Sequence, residues 1–589
     1  MNEIARLTMP FGDDEDDRYD DRPLAGVPIP LGMITRGSLL KGLQLRLEHG
    51  TSVEDMRVGR FVVIEGDANR FFCLVTDMEL GAASDRALLD PPSRAHPLIA
   101  EMVQDIATFG TVAIQPMLML PRDPAPSPFA VPTNGAVGTA GVEKRHMEPV
   151  RTIPVHFSPV FDATEADFAY VFGAEDERHF AIGQPLNMDI PVCLDLERIA
   201  ERSNGVFGKS GTGKSFLTRL LLAGMISRDI ASALVFDMHS EYGWETQSEE
   251  GLGQKRVLPG LRRLFGSKVH VYTVDPESSR ARGVKVDGEL QIGLNQIEIE
   301  DIALLAEELD FSGAMLDTCY LLRTMWGEGW LKELLDTQPA ALDNVAQGVG
   351  GHRGSLAAVY RKLSQIRDLE FVKDHLPPAS SKLHELIGWL ERGQHVVLEF
   401  GRYRRPLVYM LVANIITRHI YDLWVKKTEH YLLTKRAADE PRRLMLVIEE
   451  AHKFLNPKVA KSTSFGTIAR EMRKYYVTLL VVDQRPSGID PEVASQLGTR
   501  LTALLTEEND IKAVFTGVGG SEHLRAVLSS LDSKKQALII GHAVPMPVVI
   551  RTREYDEAFF AAVSPQEARR REEKVSGVPQ RDPLADLFE

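Results

Sequence analysis

Gly208-Lys209-Ser210-Gly211-Thr212-Gly213-Lys214-Ser215 satisfies the pattern G-x-x-x-x-G-K-[ST] at every fixed position. The stretch closes a short apolar run, 206–208, and opens a helical segment, 216–225, beginning at Phe216. Strand, loop and helix in that order are what a phosphate cradle requires. The glycines let the backbone wrap until successive N–H groups and the positive end of the following helix converge on phosphate oxygens. Lys214 is placed to reach the β and γ phosphates of ATP, and the Ser215 hydroxyl to join the shell of a Mg2+ ion. Residues Gly208 to Phe216 are therefore the predicted nucleotide site.

Working outward, the apolar runs 233–237, 396–400, 444–449, 477–483 and 501–506 alternate with longer amphipathic segments. That alternation predicts an α/β fold with a parallel central sheet and crossover helices. The run 444–449 ends in Glu449-Glu450. One carboxylate at such a strand tip can hold a magnesium hydration shell while the next orients or deprotonates the attacking water, so Glu449 is assigned to the metal and Glu450 to catalysis. Gln484, just past the run 477–483, is placed to hold that water or to sense the γ-phosphate. Asp237-Met-His-Ser-Glu241-Tyr242 ends another strand at the edge where such sheets bind ligands. Arg473, in Ala469-Arg470-Glu-Met-Arg473-Lys474, is the candidate for an arginine finger offered to a neighbouring subunit, with Arg470 close behind it. His452 reads as a structural hydrogen bonder.

The chain has 589 residues, enough for about three to four domains. With 44% hydrophobic and 26% charged residues it has an ordinary globular composition, so large cores need no disulfide or metal. The three cysteines are far apart and show neither zinc-finger spacing nor a CxxC pair, which points to a reducing, cytoplasmic location. No apolar stretch has the length of a membrane span. The formal charge of −15 argues against a protein that coats nucleic acid with its whole surface but permits a local basic channel. Residues 1–22 hold eight acids and three arginines and read as a solvated tail. Residues 32–92 read as a strand-rich module, and the Pro- and Gly-rich stretch 121–149 as a long loop.

Together, Gly32-Met-Ile-Thr-Arg-Gly-Ser-Leu39, Ser52-Val-Glu-Asp-Met-Arg57, Val58-Gly-Arg-Phe-Val-Val-Ile64, the P-loop, Glu449-Glu-Ala-His452 and Gln484-Arg-Pro-Ser487 resemble the HerA ATPases of the HerA/FtsK group. The sequence departs from many relatives at Glu449, where they carry aspartate, and in its acidic N-terminal extension. The resemblance implies a HAS-type β-barrel over 30–193 and a RecA-like ATPase domain over 194–563; composition and period add an acidic extension over 1–29, a helical insertion at about 245–393 and a C-terminal arm over 564–589. The resemblance further implies a homohexamer that hydrolyses ATP and moves double-stranded DNA through its central channel. A NurA-like nuclease would meet the barrel face, and the setting would be DNA end resection and repair. The alternative is a ring that scaffolds and activates another effector enzyme in antiphage defence. Within the resemblance Arg473 takes the place of the trans-acting arginine, Gln484 that of the sensor amide, and Arg202 that of a polar residue near phosphate. For DNA contact the basic candidates are Lys453, Lys458, Lys461, Arg353, Arg361 and Lys362.

Overall fold

The computed structural model describes residues 29–48, 51–82, 108–121, 147–250, 254–377, 380–461, 463–518, 521–532 and 535–564. The acidic tail, the C-terminal arm and all but the ends of the Pro- and Gly-rich stretch lie outside these residues.

The first unit is built from β1 (Gly32–Ser38), β2 (Gly42–Leu47), β3 (Phe61–Glu65), β4 (Asn69–Ala82), β5 (Thr108–Pro121) and β7 (Pro159–Asp162). They pair in the order β2-β1-β7-β3-β4-β5, and β5 pairs back onto β2, so the six strands close into a barrel. A two-residue strand, β6 (Glu148–Pro149), adds to the outer edge of β5. Alternation explains the continuous apolar run in β3. Val62 and Ile64 point into the barrel core with Cys73, Val75, Val112 and Val160. Phe61 and Val63 point outward and pack with Phe168 and Phe172 of the helix Glu165–Phe172, in the core shared with the rest of the chain.

The second unit is one twelve-stranded sheet. Its parallel part runs β15 (Gly288–Glu289), β14 (Val269–Thr273), β18 (His395–Glu399), β11 (Ser232–Asp237), β19 (Leu444–Glu449), β20 (Val477–Asp483), β10 (Asn204–Phe207) and β21 (Thr499–Thr502). Beyond β21 the sheet turns antiparallel, through β22 (Gln536–Gly541), β23 (Val548–Thr552), β8 (His179–Pro185) and β9 (Val192–Asp195). The sheet is therefore mixed. Strands β8 and β9, placed by sequence with the barrel, are part of it, because Phe180 and Ile182 pack into the main core. The ring of Phe180 rests on Gly224 of the P-loop helix Lys214–Ser227, where an added Cβ would lie 2.8 Å from it.

The segment 245–393 is not helical throughout. It begins with a hairpin, β12 (Glu245–Glu250) and β13 (Gln254–Pro259), and contributes β14, whose five residues are all buried. A small parallel pair, β16 (Ile292–Gly293) and β17 (Val372–Lys373), brackets the truly helical portion, including Gly313–Trp326 and Arg353–Arg367. The long helix Pro406–Thr434 then crosses the sheet with its first half almost wholly buried. No helix among the described residues is long and apolar enough to cross a membrane.

Close packing behind β19 is unforgiving. Gly466, in the helix Ser464–Glu471, has no room for a side chain, since a Cβ there would stand 1.6 Å from the Ala460 carbonyl oxygen. Gly466→Ala is expected to cost about 3 kcal/mol and to lower the main thermal transition by roughly 5 °C or more. An unchanged melting curve would contradict this packing.

Candidate active site

Parallel strands deliver their C-terminal ends to one edge of the sheet, and there the side chains converge. β10, β20, β19 and β11 lie side by side in that order. Phe207 is in register with Asp483, and Glu449 with Val482, so the loop after β10 sits next to Gln484, which in turn stands beside Glu449 and Glu450.

The cradle forms as its sequence requires. Gly211 and Gly213 adopt φ of +80° and +104°, and an added Cβ at either would meet nothing within 4 Å. The loop is thus wrapped by glycine conformations around open space. Lys209 N–H donates to Leu504 O at 3.0 Å, and Thr212 Oγ1 donates to Lys209 O at 2.7 Å, which fixes the loop from both sides. Lys214 Nζ arches across it to the same carbonyl at 3.1 Å. Burial lowers the Lys214 pKa, against the opposing pull of Glu450 and Asp483. Ser210 lies within the turn, and Ser215 and Phe216 open the helix at partly buried positions.

The acids beside the cradle are poorly solvated. Asp237 is fully buried and accepts the backbone N–H groups of Glu241 (2.9 Å) and Tyr242 (2.8 Å). Burial, and then the Glu399 carboxylate on the neighbouring strand, push its pKa up to about 7. Glu449 is 6% exposed. Its Oε1 accepts the Tyr242 hydroxyl at 3.0 Å, while its buried Oε2 has no hydrogen-bond partner. Burial and the charge of Asp237 raise its pKa well above the usual carboxylate range. An orphaned, desolvated carboxylate oxygen on the strand beside the sensor strand fits a hydrated Mg2+, and Ser215 Oγ, bonded to no described residue, is the hydroxyl that accompanies it. Tyr242 holds the Glu449 side chain in place through that hydroxyl bond.

Glu450 leaves the strand with φ of +48°, a left-handed conformation that is costly for a non-glycine residue and turns its side chain off the strand line. Gln484 Nε2 donates to Glu450 Oε1 at 2.9 Å. His452 is a hydrogen bonder, as its sequence position suggests. Its backbone N–H reaches Asp483 Oδ2 at 2.7 Å and its Nδ1 the same oxygen at 3.0 Å, and Nδ1 lies 3.7 Å from Glu450 Oε2. The bond to Asp483 raises the imidazole pKa.

Sequence reading missed two contributors. Tyr242, fully buried, links the loop after β11 to Glu449. Arg219, on the P-loop helix, lies over the Tyr242 ring and donates to Glu241 O at 2.7 Å, locking that loop to the cradle. The only signal was the aromatic five residues past a strand-ending aspartate. Arg202 is not brought to the cradle by this chain. It caps the helix Leu196–Glu201 ahead of β10, at the opposite edge of the sheet, separated from Gly208 by a four-residue strand of about 13 Å. Arg473 also lies away from this pocket, in a 3-10 turn ahead of β20. Its guanidinium is exposed and has no described side-chain partner, whereas Arg470 donates to Ala460 O at 3.3 Å. Among the basic candidates for DNA contact, Lys458 pairs with Glu307, Lys362 with Asp310 and Arg353 with Asp343, and Arg361 donates to Ala357 O. Lys453 and Lys461 have no described side-chain partner.

A twisted sheet of this order, with a glycine-built cradle after β10 and paired acids after β19, defines a P-loop ATPase with a RecA-like core. The family profile described as "Helicase HerA, central domain" matches residues 180–420. The chain is 23% identical over 514 residues to the DNA double-strand break repair helicase HerA of Sulfolobus acidocaldarius, covering 85% of this chain and 90% of that protein. It is 25% identical over 402 residues to the protein of the same name from Saccharolobus solfataricus, covering 68% and 73%. Among solved structures, the bacterial conjugative coupling protein TrwB aligns with a TM-score of 0.43 at 12% identity, over 67% of this chain and 92% of that one. Over most of its length the chain is thus similar to the HerA helicases.

The raised carboxylates have a sign-defined consequence. A buried acid whose folded pKa lies above its unfolded value favours the folded state at low pH and loses that advantage as pH rises through the folded value. The nucleotide-free protein is therefore expected to melt at lower temperature at pH 8 than at pH 5. Glu449→Gln, which keeps the acceptor for Tyr242 and deletes the charge, should raise the melting temperature at pH 8 more than at pH 5. Equal shifts at both pH values would contradict the assignment of a strained, ionisable Glu449.

Proposed function

We propose that the chain is an ATP-hydrolysing motor that assembles as a homohexamer, moves double-stranded DNA through its central channel and works with a NurA-like nuclease at the barrel face in DNA end resection. The observation that carries this reading is the pairing of Glu450 with Gln484 at 2.9 Å on the edge that also bears the P-loop. A general base and a polar amide are thereby held together next to the cradle. The names of the relatives, DNA double-strand break repair helicases, support the choice of DNA as the polymer and repair as the setting.

In this mechanism the loop N–H groups and Lys214 bind the phosphates of ATP. Mg2+, held through Ser215 and Glu449, would neutralise phosphate charge when bound. Glu450 takes the proton of the attacking water, and Gln484 fixes the carboxylate and the water in line. Arg473 of one protomer completes the pocket of its neighbour and stabilises the charge that develops on the transferred group. An exposed arginine without a described side-chain partner can serve in this way, and one tied to Ala460 O, as Arg470 is, has less reach.

Lys214→Ala is expected to abolish nucleotide binding. Glu450→Gln should retain ATP binding while losing at least about a hundredfold in kcat, the scale of a general base. Arg473→Ala should lose turnover with binding largely intact, and mixing it with Glu450→Gln subunits should restore part of the activity, because some interfaces then hold both groups. No recovery at any mixing ratio would exclude a finger in trans. A displacement assay on linear duplex tests the motor itself. ATP-dependent displacement is expected, and its absence with and without the nuclease would leave a ring that scaffolds an effector instead.

A further inference from the structure

His452 and the loop after Gln484 face a groove that hydrolysis does not use. On the far side of His452 from the cradle lies a cavity of about 350 Å³ lined by His452, Asn456, Arg485, Ser487 and Gly488. No carboxylate is among these lining residues. Ser487 commits its N–H and hydroxyl to Asp510 Oδ1, so the remaining donors are those of His452, Asn456 and Arg485.

The donors are held ready. Arg485 is anchored through its backbone N–H, which donates to Asp483 Oδ1 at 2.7 Å, while its guanidinium is exposed and bonded to no described residue. Asn456 spends its Oδ1 on the N–H groups of Lys458 (3.0 Å) and Val459 (3.2 Å), so its free end is the amide donor. His452 spends Nδ1 on Asp483, leaving Nε2 as the ring's uncommitted polar atom, and that same bond raises the imidazole pKa. Lys453 follows on the same short helix with no described side-chain partner, and its charge pulls the His452 pKa down against the bond to Asp483. Gly488 lets the wall pack closely on His452. A Cβ there would stand 3.1 Å from His452 Cβ.

A guanidinium, an amide donor and an imidazole nitrogen around a solvent-facing groove match a tetrahedral phosphodiester rather than a base edge, and they carry no sequence information. The groove is formed by the two segments that leave β19 and β20, so whatever fills it touches the chain directly behind Glu450. We propose that this groove seats a backbone phosphate of double-stranded DNA and that His452, 3.7 Å from Glu450 and bonded to Asp483, makes its occupancy felt at the catalytic carboxylate. The proposal rests on the reading of the chain as a DNA motor and names where the duplex is held.

The test uses the full chain carrying Arg485→Ala together with Asn456→Ala, neither residue being part of the nucleotide pocket. Affinity for a linear duplex of random sequence is measured by fluorescence anisotropy across a salt series, and ATPase activity with and without that duplex. Loss of two phosphate contacts should weaken binding by roughly tenfold or more at fixed salt and make log Kd less steep in log salt by about one unit for each engaged phosphate. DNA-free ATPase activity should stay within about twofold of wild type and its stimulation by duplex should disappear, a split that a merely unfolded variant could not produce. Arg485→Lys, which keeps the charge, should recover part of the salt slope. If wild type binds duplex and the double variant binds with the same affinity and the same slope, the groove is not a phosphate seat although the motor reading stands. If wild type itself shows no duplex binding, both fall together.

Discussion

The rest of the site depends on carboxylates placed where water cannot solvate them. Asp237, Glu399 and Glu449 end three adjacent strands and are almost wholly buried, and Asp483 ends the next one. Isolated charges of this kind are expensive to bury, so each needs a partner or a proton. Backbone N–H groups serve Asp237, Arg282 serves Glu399, and His452 with the Arg485 N–H serves Asp483. Glu399 and Glu449 are each left half-served: Arg282 meets one oxygen of Glu399 and Tyr242 one oxygen of Glu449, and the other oxygen of each has no hydrogen-bond partner among the described residues. The edge is thereby built to want a cation, and the cradle that would bring one in with its nucleotide lies two strands away.

That arrangement also explains how the site is wired to its surroundings. Arg219, on the P-loop helix, holds the loop that carries Tyr242, and Tyr242 holds Glu449. Gln484 holds Glu450 from the strand between the two acids and the cradle. A shift of the P-loop helix is therefore transmitted to Glu449 through short, largely buried contacts, with few alternative arrangements open to them. The left-handed backbone of Glu450 adds strain at the residue whose side chain must move least.

Much of this was legible in the sequence because local chemistry determined it. The P-loop needs glycine at 211 and 213 for its conformations and lysine at 214 for its charge, and the apolar run 444–449 ending in two acids has few other readings. The strands buried on both faces, such as Leu444–Glu449 and Val477–Asp483, were bounded to the residue. What escaped was set by tertiary contact. The strand Val269–Thr273 is five residues long between helical turns, and nothing in its own period separates it from a buried helix. His179–Pro185 and Val192–Asp195 look like barrel strands locally, and only the packing of Phe180 against Gly224 assigns them to the large sheet. Tyr242 could not be tied to Glu449 across 207 residues of chain, and Arg202 falls on the wrong edge of its strand because sequence proximity to a P-loop says nothing about direction along the sheet.

The most direct measurement is the number of protons exchanged when the empty site fills. Calorimetric titration of the protein at pH 7 with a non-hydrolysable ATP analogue, in excess magnesium and in buffers of different ionisation enthalpy, reads that number as the slope of heat against buffer enthalpy. If Asp237 and Glu449 carry shared protons at neutral pH that the incoming cation displaces, the slope should correspond to release of about one proton per site. Heats that do not vary with the buffer would mean that the carboxylates are already ionised in the empty protein, and the account of a cation-seeking edge would be wrong.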